Sequence, residues 1–215
     1  LEPSELFDLD EAVNSLDISQ NGRLLVAASD SGVIHLWNLA EGAALKEMDT
    51  GEESIRVVRF KDNDTYALGY QDGMVEFRNV ADHEIASSVR AHSVRVTDIR
   101  FNDRLGQMAT SSLDGFVKIW NYEDLTEPPI ALEDNDGFVF ALDFSPDGKL
   151  LVSGSAGDVN NRNLVARPTH ADYMVQDICQ LLSRNFTMEE WWRYVGRDIE
   201  YQKTCDKKEL SIKVE

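Results

Sequence analysis

The chain is 215 residues long and strongly acidic, with 39 Asp and Glu against 21 Lys and Arg and a formal net charge of −18. A surface of that sign repels the phosphate backbone, so direct nucleic-acid binding is not expected, and solubility and basic partners are favoured instead. No apolar run is long enough to cross a membrane and no leader segment is visible, so a cytoplasmic protein without membrane contact is expected.

Residues 1–12, with Leu6, Phe7 and Leu9, read as the outer strand of a preceding unit. The alternation Val13–Ile18 opens the first full unit. A turn at Gln20-Asn21-Gly22 follows, then a strand over Leu24–Ala28. Ser29-Asp30-Ser31-Gly32 leads into a third strand ending in Trp37-Asn38, and a looser fourth lies around Leu45. Asn, Asp and Gly suit such turns because they tolerate positive φ. The second unit repeats this order with Ile55–Phe60, Asn63-Asp64, Thr65–Leu68, Gln71-Asp72-Gly73, a strand ending in Phe77-Arg78-Asn79, and Ile85. The third has Val96–Phe101, Met108–Thr110, Ser112-Leu113-Asp114-Gly115, a strand ending in Trp120-Asn121, and Ile130. A fourth begins with Val139–Phe144, Pro146-Asp147-Gly148 and Leu150–Val152.

The turn glycines fall at 32, 73 and 115, intervals of 41 and 42 residues. Self-similarity of that length marks an array of identical units, and four short strands fill each one. The expected fold is all-β: radial blades of four antiparallel strands at about 13–50, 51–91 and 92–134, then an incomplete one at 135–168. After Asp158 the fourth unit jumps to Val159-Asn160-Asn161-Arg162-Asn163, where the period calls for an alternating third strand. By that measure about ten residues are missing from it. Closed propellers have about four to eight blades, so further blades before residue 1 are also expected.

These repeats resemble the WD40-repeat β-propeller; the resemblance covers roughly residues 1–158, and the partial propeller is expected to extend over residues 1–168. In that family a His, a Ser or Thr, an Asp and a Trp form a hydrogen-bonded relay inside each blade. Carried onto the third unit, the resemblance implies His92, Ser111 or Ser112, Asp114 and Trp120. A buried Trp N–H and a buried turn Asp each need a partner, which is the physical case for such a relay. The first unit lacks the His, and the second lacks both the His and the Trp, with Arg78 in the Trp position.

Residues 169–215 read as a helical tail docked on the last blade. Met174, Ile178, Leu181 and Leu182 share one helical face, and Thr187-Met188-Glu189-Glu190 is a Thr-x-x-Glu capping box before Trp191, Trp192 and Tyr194, with Gly196 as terminator. The run Ile178-Cys179, Arg184-Asn185, Glu190-Trp191, Tyr194-Val195-Gly196 and Tyr201 to Cys205 resembles the C-terminal segment of some bacterial WD40-repeat proteins. Cys179 and Cys205 could form a staple, but free thiols are the expectation in a reducing compartment. Asn185-Phe186-Thr187 fits a glycosylation sequon, and the capping role of Thr187 accounts for it better.

No nucleophile elbow, phosphate-binding glycine loop or His-Glu-x-x-His occurs, and neither the two cysteines nor the four histidines have metal-ligand spacing. No cofactor or metal is expected. His92 is the tempting general base, but the relay explains it better. His35, between Ile34 and Leu36, is expected on the opposite strand face. The loops before each first strand and between second and third strands of a propeller crowd one mouth of its channel. Arg56, Tyr70, Arg95 and Phe138 fall there as candidate partner contacts, being aromatic and Arg residues of the hot-spot type. Phe140 is expected against a neighbouring blade. The sequence thus reads as a non-catalytic protein-recognition or scaffold propeller that forms the C-terminal part of a larger protein. Three alternatives stand beside it: a bacterial sensor regulating an upstream NTPase or protease effector, a channel enzyme using Asn14, Arg56 and Thr97, and self-association that completes the propeller.

Overall fold

The computed structural model describes residues 11–41, 43–51, 54–133, 135, 137–157, 162–170, 184–194, 200, 201, 203 and 205. Its contacts divide the chain into two compact units, Leu1–Ala166 and Arg167–Glu215. Of residues 1–12, read above as an outer strand, 1–10 lie outside the described residues.

Strands β1 (Val13–Ile18), β2 (Leu24–Ser29), β3 (Val33–Asn38) and β4 (Ala43–Asp49) form one sheet in that order. The second sheet runs β5 (Ile55–Phe60), β6 (Thr65–Tyr70), β7 (Met74–Asn79), β8 (Ile85–Arg90), and the third β9 (Val96–Asn102), β10 (Gln107–Ser112), β11 (Val117–Asn121), β12 (Ile130–Leu132). Consecutive strands pair antiparallel in all three. The fourth sheet is β13 (Phe138–Phe144), β14 (Leu150–Ala156) and β15 (Arg162–Pro168). The fourth blade therefore has a third strand in the place where about ten residues are expected to be missing. β15 is present as the third strand, but it has no Trp and closes on a proline, a residue that sheets accept only at an edge or strand end.

The recurring glycine has a geometric cause. Gly32, Gly73 and Gly115 have φ of 86, 92 and 87°, a region that residues with a Cβ rarely enter. At Gly73 a Cβ would also clash with the His92 carbonyl oxygen, so the turn of one blade abuts the backbone entering the next.

The core lies between blades. Val26, Ala28, Ile34 and Leu36 of the first blade pack against Ile55, Val58, Phe60, Tyr66, Leu68 and Tyr70 of the second. Val57, Ala67, Val75 and Phe77 then pack against Val96, Ile99, Met108 and Trp120, and Ala109, Val117 and Ile119 against Val139, Leu142 and Leu151. Each blade has a leading face toward its predecessor and a trailing face toward its successor, and at about 1.5–3 kcal/mol per fully buried aliphatic side chain these seams dominate stability. Polar side chains stitch the innermost strands one repeat along. Asn14 Nδ2 donates to the Ile55 carbonyl at 2.8 Å and Thr97 Oγ1 to that of Val139 at 2.6 Å. Asp17 accepts the Phe60 N–H at 2.7 Å, and Asp98 that of Leu142 at 3.1 Å. Asp98 also meets Arg59 at 3.0 Å.

In the second unit, α1 (Met188–Tyr194) starts at the expected capping box. The Thr187 N–H donates to Glu190 Oε2 at 2.8 Å and the Glu190 N–H to Thr187 Oγ1 at 3.2 Å. The Arg184 guanidinium, and after it the Thr187 N–H, hold the Glu190 carboxyl down at about 2. Asn185 is buried and consumed: its Nδ2 donates to the Cys205 carbonyl at 2.9 Å and its Oδ1 accepts the Cys205 N–H at 2.7 Å. Its amide is therefore spent on the backbone. Cys205 is disulfide-bonded, which corrects the free-thiol expectation. Cys179, the expected helix carrying Met174, Ile178, Leu181 and Leu182, and Gly196 lie outside the described residues. Among the described residues no helix is long and apolar enough to cross a membrane.

Candidate functional site: the mouth of the innermost strands

Each innermost strand breaks register with its neighbour at one residue near its start. The breaks fall between Val13 and Ser15, Ile55 and Val57, and Val139 and Ala141, and in the third sheet Val96 and Asp98 pair with the adjacent Ser112 and Ser111. The extra residues are Asn14, Arg56, Thr97 and Phe140. A β-bulge leaves its extra residue unpaired and re-aims it, so the repeat places one free-standing side chain per blade at the same end.

Three of the four are engaged. Asn14 and Thr97 hold the next blade as described. Arg56 donates from Nε to Gln71 Oε1 at 2.7 Å and pairs with Asp30 at 2.7 Å. Asp30 also accepts from Ser54 and Asn14, and these hydrogen bonds, ahead of Arg56, hold its carboxyl below the usual range. Arg95 stands beside this group, half-buried, its Nε without a hydrogen-bond partner. Burial, and then repulsion from Arg56, lower its proton affinity. Phe138 and Phe140 are each 52% exposed and meet edge to face at 6.3 Å. Phe138 also borders a cleft of about 210 Å³ with Phe116, Glu133 and Asn135. Of the candidate contacts, Arg56, Arg95 and Phe138 share this end of the blades. Tyr70 does not present a surface. It is 3% exposed and donates to Glu76 Oε2 at 2.8 Å. Phe140, expected against a neighbouring blade, is instead open.

The relay lies inside the third blade. Trp120 Nε1 donates to Thr110 Oγ1 at 3.0 Å, and Thr110 Oγ1 lies 2.9 Å from His92 Nε2. His92 Nδ1 is 3.1 Å from Asp114 Oδ2. One proton arrangement satisfies every atom: Trp120 to Thr110, Thr110 to His92 Nε2, and His92 Nδ1–H to Asp114. Burial, opposed by Asp114, pushes His92 below its ordinary value and keeps it neutral. Burial would raise Asp114, but His92 and the Phe116 and Ser93 N–H groups outweigh it and lower it. The hydroxyl is thus Thr110, not Ser111 or Ser112. Ser111 Oγ lies 2.9 Å from Thr97 Oγ1, and Ser112 Oγ accepts the Asp114 N–H at 3.0 Å.

The family model described as WD domain, G-beta repeat matches residues 5–38, 84–121 and 127–160. The chain carries WD40 repeats. Similar proteins include the U3 small nucleolar RNA-associated protein 21 homolog of Schizosaccharomyces pombe, 23% identical over 66% of this chain and 15% of that protein. Another is the Meiotic fizzy-related protein 1 of the same yeast, 22% identical over 69% and 35%. The chain therefore spans about a third or less of the length of these relatives. Among solved structures, the computationally designed Ika4 protein aligns with a TM-score of 0.63 at 22% identity, over 79% of this chain and 100% of that one. A chain of the mitotic checkpoint complex aligns with a TM-score of 0.66 at 18%, over 75% and 49%. These likenesses establish the WD40 propeller-blade fold. The relatives are eukaryotic, and the expected bacterial kinship and sensor role find no support in them.

The stretch between the matched WD40 repeats, 39–83, holds most of the second blade, and the structure shows how that blade departs. Leu25 faces Trp37, Met108 faces Trp120, and Tyr66 faces Arg78. In place of a Trp relay, Arg78 Nε and Nη2 donate to Glu76 Oε2 at 2.9 and 2.7 Å, and Nη1 donates to the His83 carbonyl at 3.1 Å. Tyr66 Oη meets His83 Nδ1 at 2.6 Å. In the first blade His35 stacks on Trp37 at 5.6 Å and meets Glu11 at 2.8 Å. The histidines of this WD40 array are therefore held by structure. Among the described residues no cluster of three His, Cys, Asp or Glu could hold a metal ion.

Proposed function

We propose that this chain is a non-catalytic protein-recognition scaffold that engages its partner at the end of the blades where the innermost strands begin. The observation that carries the reading is the company of Arg95 at that end. Its buried Nε lacks a partner, its neighbour Arg56 already occupies Asp30, and the exposed Phe138–Phe140 pair lies at the same end. Arg and aromatic side chains on a rigid rim are the residue types that become binding hot spots. WD40 repeats serve typically as protein-interaction scaffolds, and the mitotic checkpoint complex is such an assembly. An enzyme reading has less to stand on, because Asn14, Arg56 and Thr97 are bound to neighbours. The free valence at Arg95 favours a partner carboxylate there, while the net charge of −18 favours basic partner groups elsewhere.

The test is to pan a random-peptide display library against the 215-residue chain and measure the selected peptides on an Arg56→Ala/Arg95→Ala variant. Affinity is expected to fall at least about tenfold, the scale of a hot-spot truncation, with the thermal transition little changed. Unchanged affinity would remove this surface from the account.

A further inference from the structure

The cleft of about 210 Å³ beside Phe138 opens between the third and fourth blades. Leu113 and Phe116 come from the turn joining β10 to β11, and Glu133, Asn135 and Phe138 from the approach to β13 and its first residue. Both walls belong to the first compact unit, and no further blade is needed to form the cleft. Its volume lies below the range of about 300–1,000 Å³ for small-molecule sites, which suits one side chain rather than a cofactor. Leu113, Phe116 and Phe138 give it apolar and aromatic walls. The polar groups beneath are spent: Asp114 is held by His92 and the Ser93 and Phe116 N–H groups, and Asn135 Oδ1 accepts from Ser153 at 2.9 Å. Glu133 is different. It is exposed and has no ion-pair partner among the described residues, and none of the described residues lining the cleft is Lys or Arg. In sequence, Glu133-Asp134-Asn135-Asp136 adds further negative charge and no cation.

We propose that this cleft receives an arginine side chain of the partner, its guanidinium set against the Phe116 and Phe138 rings and paired with Glu133. Guanidinium is the cation that both stacks on aromatic faces and meets a carboxylate with two parallel hydrogen bonds. A partner carboxylate would be repelled by Glu133, and a neutral apolar side chain would crowd that carboxylate away from water without pairing it. The proposal rests on the recognition reading above and names the basic group that the partner brings to it. The Leu113 N–H donates to the Arg95 carbonyl at 3.2 Å, so the cleft adjoins Arg95. A partner with a carboxylate for Arg95 and an arginine for the cleft meets opposite charges at neighbouring sites, which fixes its orientation.

The test is heteronuclear NMR of the isotope-labelled 215-residue chain, titrated at about 150 mM salt with N-acetyl-arginine amide and, separately, N-acetyl-citrulline amide. Citrulline keeps the shape of arginine and lacks its charge. The arginine derivative is expected to move the amide signals of Gly115, Phe116, Gly137 and Phe138 saturably, and the citrulline derivative to bind at least about fivefold more weakly. Glu133→Gln removes the charge and Phe116→Leu the ring, and each is expected to weaken the arginine derivative about three- to fivefold. Signals of the other blades that stay in place would exclude unfolding as the cause. N-acetyl-glutamate amide, read at the amides of Arg56 and Arg95, reports on the carboxylate site separately, so a failure there and a failure at the cleft are told apart. Equal binding of the arginine and citrulline derivatives, shifts that miss the cleft, or an affinity unmoved by both substitutions would each overturn the proposal.

Discussion

Arg78→Ala is expected to destabilise the protein by about 3–5 kcal/mol, the cost of breaking a buried ion pair from one side. Arg78 and Glu76 side chains are 8% and 12% exposed, so water cannot replace the lost partner without opening the blade. Glu76 would keep only the hydrogen bond from Tyr70, and the His83 carbonyl would lose its donor. His83 is already strained, with φ of 64°, and relies on Tyr66 and this carbonyl contact to hold its turn. Urea denaturation of the variant beside the wild type gives the number. A loss below about 1 kcal/mol, the scale of a surface pair, would mean that the second blade does not depend on its substitute network.

Thr110→Val is the corresponding break in the third blade, with an expected loss of about 2–4 kcal/mol. Valine keeps the shape of threonine but cannot accept from Trp120 or donate to His92, and each stranded buried group costs about 1–3 kcal/mol. Ser111→Ala is the control. Its hydroxyl bonds Thr97 rather than Trp120 or His92, so a relay built on Ser111 would give the opposite ranking. The relay also sets a pH dependence. Burial depresses His92 and also His83, so the unfolded chain takes up protons near 6.5 before the folded chain does. Stability is then complete above that pH and declines as pH falls below it. His92→Gln is expected to flatten part of that decline.

The repeat was legible because a backbone constraint recurs with it. A turn that needs φ near 90° must carry glycine, and Gly32, Gly73 and Gly115 set the frame on which alternation places the first three strands of each of the first three blades, the fourth being marked only loosely around Leu45, Ile85 and Ile130. Strand alternation also settles which hydroxyl and which aromatic face the seams. Met108, Thr110 and Ser112 share parity in β10, and Met108 faces Trp120. The residue beside the Trp is therefore Thr110, while Ser111 points to the other face. The loop position of Tyr70 suggests the mouth, but Tyr70 shares parity with Tyr66 and Leu68 and packs with them on the leading face. β15 has no repeat signature, because Arg162-Asn163-Leu164-Val165-Ala166-Arg167-Pro168 has neither the glycine turn nor the Trp. The bulges at Asn14, Arg56, Thr97 and Phe140 leave no residue signature, since four different side chains occupy one position. Only strand register reveals them.

The most direct test of the recognition surface is amide hydrogen exchange on the chain with and without a peptide selected on it. The account predicts added protection at the starts of the innermost strands, over residues 54–57, 93–97 and 138–141, with the outer strands β4, β8 and β12 unchanged. Protection confined to those outer strands would contradict it.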